Sequence, residues 1–171
     1  MVLDPVLSSR KDGTEIRGRE SAMKASSAWL LGLFVLSAFF TPASAEGDVS
    51  VHPSCAICGM DRDAFGHSRM LIVFRDGTSF GTCSLRCAAL ILKAEEERKP
   101  RSVKVADYNT RELVEAEEAS WVIGGRKPGV MTGRAKWAFR NGKDAEAFVG
   151  EFGGARSTYR EAFAEAAKEL E

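Results

Sequence analysis

The sequence predicts an α+β fold in which short antiparallel strands are backed by helices. Short β-branched and aromatic stretches alternate with turn signals, and other stretches have apolar residues at helical spacing. A strand, a turn dipeptide and a helix follow one another twice, around Asp76-Gly77 and around Asn141-Gly142. This repetition leaves open an internal duplication.

The composition is that of an ordinary globular chain with room for one domain. The 171 residues are 44% hydrophobic and 28% charged, and the formal net charge is zero. Nucleic acid is not expected as a partner, because phosphate binding needs clustered Lys and Arg residues and the sequence has no basic run.

The N-terminal part has the pattern of a secretory signal peptide. Residues 29–40 form an apolar run that is shorter than the roughly 20 residues of a membrane-spanning helix. Lys24 precedes the run, and residues 43–45 (Ala-Ser-Ala) are small, as a signal peptidase requires. We therefore expect a signal peptide over residues 23–45 and export to the periplasm, with a retained membrane anchor as the alternative.

The other domain boundaries follow from the signal peptide. Met23 lies where a signal peptide normally begins, so residues 1–22 are expected to be a non-translated or disordered extension. No cysteine follows the apolar run closely enough to be lipidated, so the exported domain, residues 46–171, is expected to have no membrane attachment. Residues 46–53 are polar and have no periodicity, and we expect them to be a leader into the domain.

The first half of the domain is predicted to contain a hairpin, a helix and a further strand. Asp76-Gly77 is a strong hairpin signal, because both central residues of a type I′ turn need positive φ. Ser84 can cap a helix that Pro100 ends. The expected elements are strand 69–74, strand 78–80, a helix from 84 to about 98, and strand 102–108.

The second half is predicted to have shorter strands and two helices. Asn141-Gly142 is a second turn signal, and Thr158 and Glu161 have the spacing of a capping box. The expected elements are strands 113–114, 120–123 and 136–139, a Gly- and Pro-rich loop over 124–133, a helix over 143–152, and a final helix from 158.

Two cysteine pairs carry the clearest chemical signal. Cys55-x2-Cys58 and Cys83-x3-Cys87 contain all four cysteines of the chain. Two intervening residues let a tight turn aim both thiolates at one point, and Gly59 permits the backbone of that turn. The second pair lies at the start of the predicted helix, where residues four apart face the same side. Two such pairs predict a metal site.

Three other interpretations of the cysteines stay open. An exported chain with four cysteines can form two structural disulfides. A Cys-x-x-Cys pair can also be a thiol-disulfide active site, although no thioredoxin-like βαβ pattern surrounds this one. Finally, four thiolates can hold a structural zinc ion that stabilises the fold.

Two methionines favour a soft metal ion. Met60 lies two residues after Cys58, and Met131 lies in a glycine-flanked loop. Thiolate and thioether together suit Cu(I), whereas zinc rarely takes methionine. His52 and His67 lie on either side of the first cysteine pair and are candidates for a nitrogen ligand.

An ordered series of short motifs resembles the NosL family, the nitrous oxide reductase accessory proteins. The series covers most of the exported domain and begins with the Cys-Gly-Met motif. Its members are Cys-x-x-Cys-Gly-Met (55–60), Val-Ala-Asp-Tyr (105–108), Ala-Ser-Trp-Val (119–122), Gly-Val-Met-Thr-Gly (129–133), Trp-Ala-Phe (137–139) and Phe-Gly-Gly (152–154).

The resemblance implies a periplasmic Cu(I)-binding metallochaperone, not an enzyme, that delivers copper to nitrous oxide reductase or a related cuproenzyme. It implies a fold of two small strand-strand-helix half-units, similar to the core of organomercurial lyase. Cys58, Met60 and Met131 match the positions expected to hold Cu(I), and Cys55 matches the first cysteine of the motif.

The second cysteine pair goes beyond a Cys/Met copper site. The spacing of all four cysteines is similar to that of small TRASH-type metal-binding modules. Cys83 and Cys87 are therefore expected to supply further ligands or a redox-sensitive clasp. The alternative function is a module that binds zinc, or another heavy metal, on four cysteines and has a structural or protein-interaction role.

Overall fold

The computed structural model describes residues 45–171. The expected extension (1–22) and nearly all of the expected signal peptide (23–45) lie outside the described residues. The elements are α1 (Ala45–Val51), β1 (Met70–Phe74), β2 (Ser79–Thr82), α2 (Leu85–Ala94), β3 (Pro100–Ala106), β4 (Leu113–Glu115), β5 (Ser120–Ile123), β6 (Lys136–Phe139), α3 (Gly142–Phe152), β7 (Ala155–Ser157) and α4 (Tyr159–Lys168).

The first sheet is antiparallel and has the strand order β2-β1-β3-β4. Asp76-Gly77 lies in the connection between β1 and β2, which confirms the predicted hairpin. The turn is not type I′, because Gly77 has a φ of +87° but Asp76 does not have positive φ. Along β1 the buried residues alternate with half-buried ones, and Met70, Ile72 and Phe74 point to the core. Pro100, expected only to end the preceding helix, is the first residue of β3.

The second sheet repeats the connectivity of the first. Its order is β6-β5-β7, so in both sheets the first strand is central and pairs with the next strand on one side and with the strand after the helix on the other. The two units are thus β1-β2-α2-β3 and β5-β6-α3-β7, with β4 and α4 as additions. The prediction of an α+β fold with two strand-strand-helix half-units is confirmed.

The two Gly-containing dipeptides that indicated the repeat do not occupy equivalent positions. Asn141 is the N-cap of α3, where its side-chain oxygen accepts a hydrogen bond from the Asp144 backbone N–H at 3.0 Å, and Gly142 is the first residue of the helix. The predicted Asn-Gly turn is therefore a helix start. The capping box of α4 is confirmed, since Thr158 and Glu161 each bond to the other's backbone N–H.

The expected leader at 46–53 is wrong, because Ala45–Val51 forms helix α1. Its Asp48 carboxylate is buried between two buried arginines, with oxygens 2.6 Å from Arg62 Nη2 and 2.9 Å from Arg69 Nη2. Both partners lie in the next segment of the chain. The polar composition of the helix therefore gives no sign that its Asp48 side chain is buried. The ion pairs attach α1 to the first sheet.

Two apolar clusters form the core. The first lies between the first sheet, α2 and α4, and includes Met70, Ile72 and Phe74. The second contains three of the four cysteines together with Phe139 of β6 and Phe148 of α3. Three of the six predicted metal ligands, Cys55, Cys83 and Cys87, therefore lie in the packed interior beside the second half-unit. Within residues 45–171, no helix is long and apolar enough to cross a bilayer.

Gly81 is expected to tolerate no side chain. A Cβ there would lie 2.6 Å from the guanidinium carbon of Arg62 and 2.6 Å from His52 Cβ. Because Arg62 is held from several sides, we expect Gly81→Ala to lower the free energy of unfolding by about 1–3 kcal/mol. The matched control is Gly150→Ala in α3, where the added Cβ meets no atom within 4 Å and stability should rise by about 0.5–1 kcal/mol. Urea unfolding of both variants tests this, and equal effects would contradict it.

Asp107 joins the two half-units and should give part of the pH dependence of stability. Burial raises the pKa of this carboxyl, but hydrogen bonds from the Arg140 and Thr110 backbone N–H groups and from the Thr110 hydroxyl outweigh it, so the pKa is lowered. The stabilisation is therefore present above the unfolded pKa of about 4 and lost as the pH falls through the lower folded value. We expect Asp107→Asn to destabilise at pH 7 and much less at pH 3. A difference between wild type and variant that stays constant over this range would contradict the expectation.

Candidate metal centre

The first cysteine pair lies in a tight turn that is tied to the first sheet. The Cys55 N–H donates to the Met60 carbonyl at 2.8 Å, and the Gly59 N–H donates to the Cys55 carbonyl at 2.9 Å. Gly59 has a φ of +74°, which a residue with a side chain rarely adopts. The Ala56 N–H donates to the Gly81 carbonyl of β2 at 2.9 Å. This last bond fixes the turn beside the second cysteine pair.

The second pair lies at the junction of β2 and α2. Cys83 directly follows the strand, and Cys87 is one turn further on, inside the helix. Ser84 is the N-cap residue, as predicted, but its side chain makes no capping hydrogen bond within the described structure. The Ser84 hydroxyl lies 3.9 Å from Cys83 Sγ instead. Cys83 Sγ and Cys87 Sγ are 3.8 Å apart, so these two residues, four apart in sequence, face the same side, as expected.

The four cysteine sulfurs converge on one point. All lie within 4.8 Å of one another, and Cys58 Sγ is 3.5 Å from Cys83 Sγ and 3.9 Å from Cys87 Sγ. Cys83 Sγ is 3.8 Å from Cys87 Sγ. Sulfurs around one tetrahedral ion, with metal–sulfur bonds of about 2.3 Å, stand about 3.8 Å apart. These four residues, which we call the sulfur cluster, therefore fit a single metal ion, and all four are free thiols.

The sulfur cluster is closed on the inside and open on one side. Cys55, Cys83 and Cys87 are buried, whereas Cys58 is exposed. An ion held here would be shielded from water by the apolar core but reachable by an incoming ligand through Cys58. This asymmetry differs from a structural site that is enclosed on all sides.

The pKa values of the cysteine thiols are shifted in different directions. The pKa of Cys87 is lowered to about 6, first by the hydrogen bond that the Cys83 thiol donates to it, and burial opposes this. The pKa of Cys83 is raised, because its thiol bonds to Cys87 and because it is buried. Burial also raises the pKa of Cys58. Without a cation the coupled thiols lose a first proton more easily than the following ones, so metal binding must release protons.

The two predicted methionine ligands are placed differently. Met60 Sδ lies 4.0 Å from Cys83 Sγ, so a small movement brings the thioether to an ion in the sulfur cluster. Met131 is 41% exposed and lines a cavity of about 660 Å³ to which Met60 also contributes. We call this space the methionine cavity. The structure places Met131 on the cavity wall, and Met60 belongs to both the cavity and the cluster surroundings.

The two histidines are outside the sulfur cluster. His52 Nε2 is 2.9 Å from the Ser79 hydroxyl and supports α1 and β2. His67 lines the methionine cavity and packs against the rings of Tyr108 and Trp137. Its pKa is lowered by burial first and then by the nearby Arg111 and Lys127 cations, so the ring is neutral at pH 7.

Sequence reasoning missed two residues around the site, Arg62 and Trp137. Arg62 donates hydrogen bonds to the carbonyls of Thr82 and His52, and so connects the segments that lead into both cysteine pairs. Trp137 lines the methionine cavity, and its indole N–H is buried with no partner among the described residues. No local sequence signal identifies either role, because both depend on contacts between segments far apart in the chain.

A comparison with protein-family models decides the relationship of the chain. The NosL family model matches residues 47–167, which is most of the chain and nearly all of its described part. The chain belongs to the NosL family. This confirms the resemblance stated from the Cys-Gly-Met motif and the later landmarks.

A solved structure shows the same fold. The crystal structure of the copper chaperone NosL from Shewanella denitrificans matches with a TM-score of 0.51 and 24% sequence identity, over 63% of this chain and 87% of that one. At this identity the likeness concerns the fold. No curated protein matches the chain. The protein in that structure is described as a copper chaperone, in agreement with the expectation that this chain is not an enzyme.

Proposed function

We propose that the protein is a Cu(I)-binding metallochaperone whose cargo is held by the sulfur cluster. The observation that carries the proposal is the convergence of four thiols within 4.8 Å, with the Met60 thioether beside them. Sulfur ligands of this kind prefer soft ions, and Cu(I) is the soft ion that accepts thiolate and thioether together. Copper is the transported substrate here and not a permanent cofactor.

Delivery requires that a recipient's ligands can displace the protein's own. The exposed Cys58 gives an incoming donor access to the ion, and Met60 can replace a departing thiolate from close by. A four-thiolate site with one exposed ligand and a thioether beside it exchanges its ion more readily than a site that is enclosed on all sides. This asymmetry supports transfer as the purpose of the site.

The recipient and the compartment are part of the proposal. The solved structure with the same fold is that of a copper chaperone, and family resemblance points to nitrous oxide reductase, or a related cuproenzyme, as the protein that receives copper. The signal-peptide pattern at 23–45 supports action in the periplasm. Cell fractionation followed by N-terminal sequencing tests this: a product that begins at residue 46 in the periplasmic fraction supports it, and a cytoplasmic full-length product contradicts it.

Zinc on four cysteines is the second candidate. The sulfur–sulfur distances of 3.5–3.9 Å also suit tetrahedral zinc, and three of the four cysteines are buried. Folding separates the two candidates. A structural zinc module unfolds when a chelator removes its ion, whereas a chaperone must keep its fold while empty. We expect the anaerobic, metal-free protein to retain its circular dichroism spectrum and its unfolding transition.

Met60 distinguishes copper from zinc. Because zinc rarely takes a thioether, we expect Met60→Leu to weaken Cu(I) binding by about tenfold and to leave Zn(II) binding unchanged. Anaerobic competition with a chromophoric Cu(I) chelator, and a parallel titration with a Zn(II) indicator, measure both affinities. The matched control is Met70→Leu, the same substitution in the packed core of the first sheet, which should leave both affinities unchanged. Met131→Leu tests the other predicted thioether ligand separately. If Met60→Leu leaves the Cu(I) affinity unchanged, the thioether is not a ligand.

A further inference from the structure

The methionine cavity has features that a bare metal ion does not require. Its volume of about 660 Å³ is within the range of about 300–1,000 Å³ of small-molecule sites. Two cations, Arg111 and Lys127, line it, and among the described residues no acidic side chain does. Among residues 45–171 neither cation has a carboxylate partner within ion-pair distance. The cavity is therefore electropositive.

Two residues with strained backbone conformations line the same cavity. Within residues 45–171, two residues other than glycine have positive φ, Arg111 at 62° and Met131 at 54°, and both line this cavity. Strain of this kind persists where the surrounding structure enforces it, and it is concentrated at binding sites. Here the Arg111 carbonyl accepts a hydrogen bond from Arg69 Nη1 at 2.8 Å, and the Arg111 N–H donates to the Asp107 carbonyl at 2.8 Å. The guanidinium is thus presented by a fixed backbone.

The rest of the cavity wall is largely aromatic and suits the organic part of an anion. Phe65, Tyr108 and Trp137 supply aromatic surface. The buried indole N–H of Trp137 has no partner among the described residues, so it can donate a hydrogen bond to an occupant of the cavity. Met60 connects this wall to the sulfur cluster, since its Sδ is 4.0 Å from Cys83 Sγ. An occupant of the cavity therefore lies beside the cluster.

We propose that the methionine cavity binds small organic anions that carry a thiol, and that Cu(I) reaches the protein as an anionic complex with such thiolates. The second part of this inference rests on the proposed function. Arg111 and Lys127 attract the carboxylate groups of the carrier, and Met60 and Met131 supply the sulfur atoms of the cavity wall.

The transfer is a ligand exchange without redox chemistry. Copper–sulfur bonds to the carrier thiolates break while copper–sulfur bonds to the protein cysteines form, and the copper remains Cu(I) throughout. The protons lost by the cysteine thiols pass to the sulfur atoms of the departing carriers, which leave as thiols that keep their carboxylate charge. No oxidant or reductant is needed.

Binding of the anion can be tested without copper. We expect 3-mercaptopropionate, added to the metal-free protein, to shift the indole N–H signal of Trp137 in nitrogen–proton correlation spectra. The Trp121 indole is the internal control, because its N–H already donates to the Ala116 carbonyl at 2.9 Å. The uncharged 2-mercaptoethanol should shift neither signal. Equal shifts by both thiols, or none by the anion, would overturn the anion site.

Stopped-flow transfer tests the role of Arg111. We expect Arg111→Gln to slow uptake of Cu(I) from its 3-mercaptopropionate complex at least about threefold at low ionic strength, and to leave uptake from the 2-mercaptoethanol complex within a factor of two. The substitution keeps the β-carbon, so it does not change the backbone strain. Arg75→Gln, at an exposed position in the β1–β2 connection, is the matched control.

The outcomes separate this inference from the proposed function. Equal slowing with both carriers, or no slowing with the anionic one, overturns the cavity as a carrier site while Cu(I) binding stands. If the wild-type protein takes up no Cu(I) from either complex, the metallochaperone proposal and the carrier step fail together. High salt should remove the difference between the carriers, since charges are screened over about 3 Å at 1 M ionic strength.

Discussion

Changing Cys83 and Cys87 together to serine is expected to lower the Cu(I) affinity at least about a hundredfold. Loss of an outer partner of a metal ligand typically costs about 10–100-fold, and loss of two ligands should exceed that. Both sulfurs are buried and within 4 Å of Cys58 Sγ, and their loss leaves only Cys55, Cys58 and the weaker Met60 thioether near the ion among the described residues. Anaerobic competition against a chromophoric chelator measures the change.

The control for the double variant is the unfolding transition of its metal-free form. The serine hydroxyl is smaller than the thiol but keeps the shape of the side chain, so the metal-free double variant should still unfold cooperatively. If the double variant binds Cu(I) as tightly as the wild type, the second cysteine pair is not part of the site. A Cys58, Met60 and Met131 site, as implied by family resemblance, would then be the better description.

Asp48→Ala is expected to have the largest effect on stability, a loss of about 3–5 kcal/mol in the free energy of unfolding. The substitution leaves two buried guanidinium groups, those of Arg62 and Arg69, without their shared counter-ion. Breaking a buried ion pair from one side is costly because the remaining charge cannot be hydrated. Chemical denaturation with circular dichroism detection measures the loss.

An exposed ion pair supplies the matched control. Glu112 pairs with Arg140, and both side chains are at least half exposed, where such a pair contributes little. We expect Glu112→Ala to leave the unfolding free energy nearly unchanged. A similar loss in both variants would contradict the assignment of Asp48 as the buried anchor of α1.

The buried ion pairs also affect the metal centre. Arg62 donates to the Asp48 carboxylate and to the carbonyls of His52 and Thr82. These two carbonyls belong to the segments immediately before the first and the second cysteine pair. The guanidinium therefore helps to set the distance between the pairs, and the helix that the sequence presents as a polar leader contributes to the site.

Local signals predicted those parts of the fold that local chemistry decides. The Asp76-Gly77 hairpin and the Thr158 capping box depend on backbone bonds between near neighbours, and both are present. The paired cysteines were also predictable, because their spacing alone aims two thiols at one point. The structure adds that the two pairs meet, with all four sulfurs within 4.8 Å.

The features that sequence reasoning missed depend on distant contacts. Helix α1 is polar because its buried face is an ion pair and not an apolar stripe. Strand β7 is short and largely exposed, and it exists because it pairs with β5. Asn141-Gly142 is equally compatible with a turn and with a helix cap, and the Asp144 N–H decides for the cap. Met131 could not be placed from its loop composition, since its position depends on where that loop folds back.

The most direct test is X-ray absorption at the copper edge of the Cu(I)-loaded protein, prepared anaerobically. We expect a shell of sulfur alone, three or more atoms at about 2.3 Å, because the sulfur cluster offers four thiols and Met60 a thioether. We also expect the sulfur count to fall in the Cys83→Ser, Cys87→Ser double variant. A copper ion bound by nitrogen or oxygen, or a sulfur shell unchanged in the double variant, would contradict the sulfur cluster as the site of the cargo.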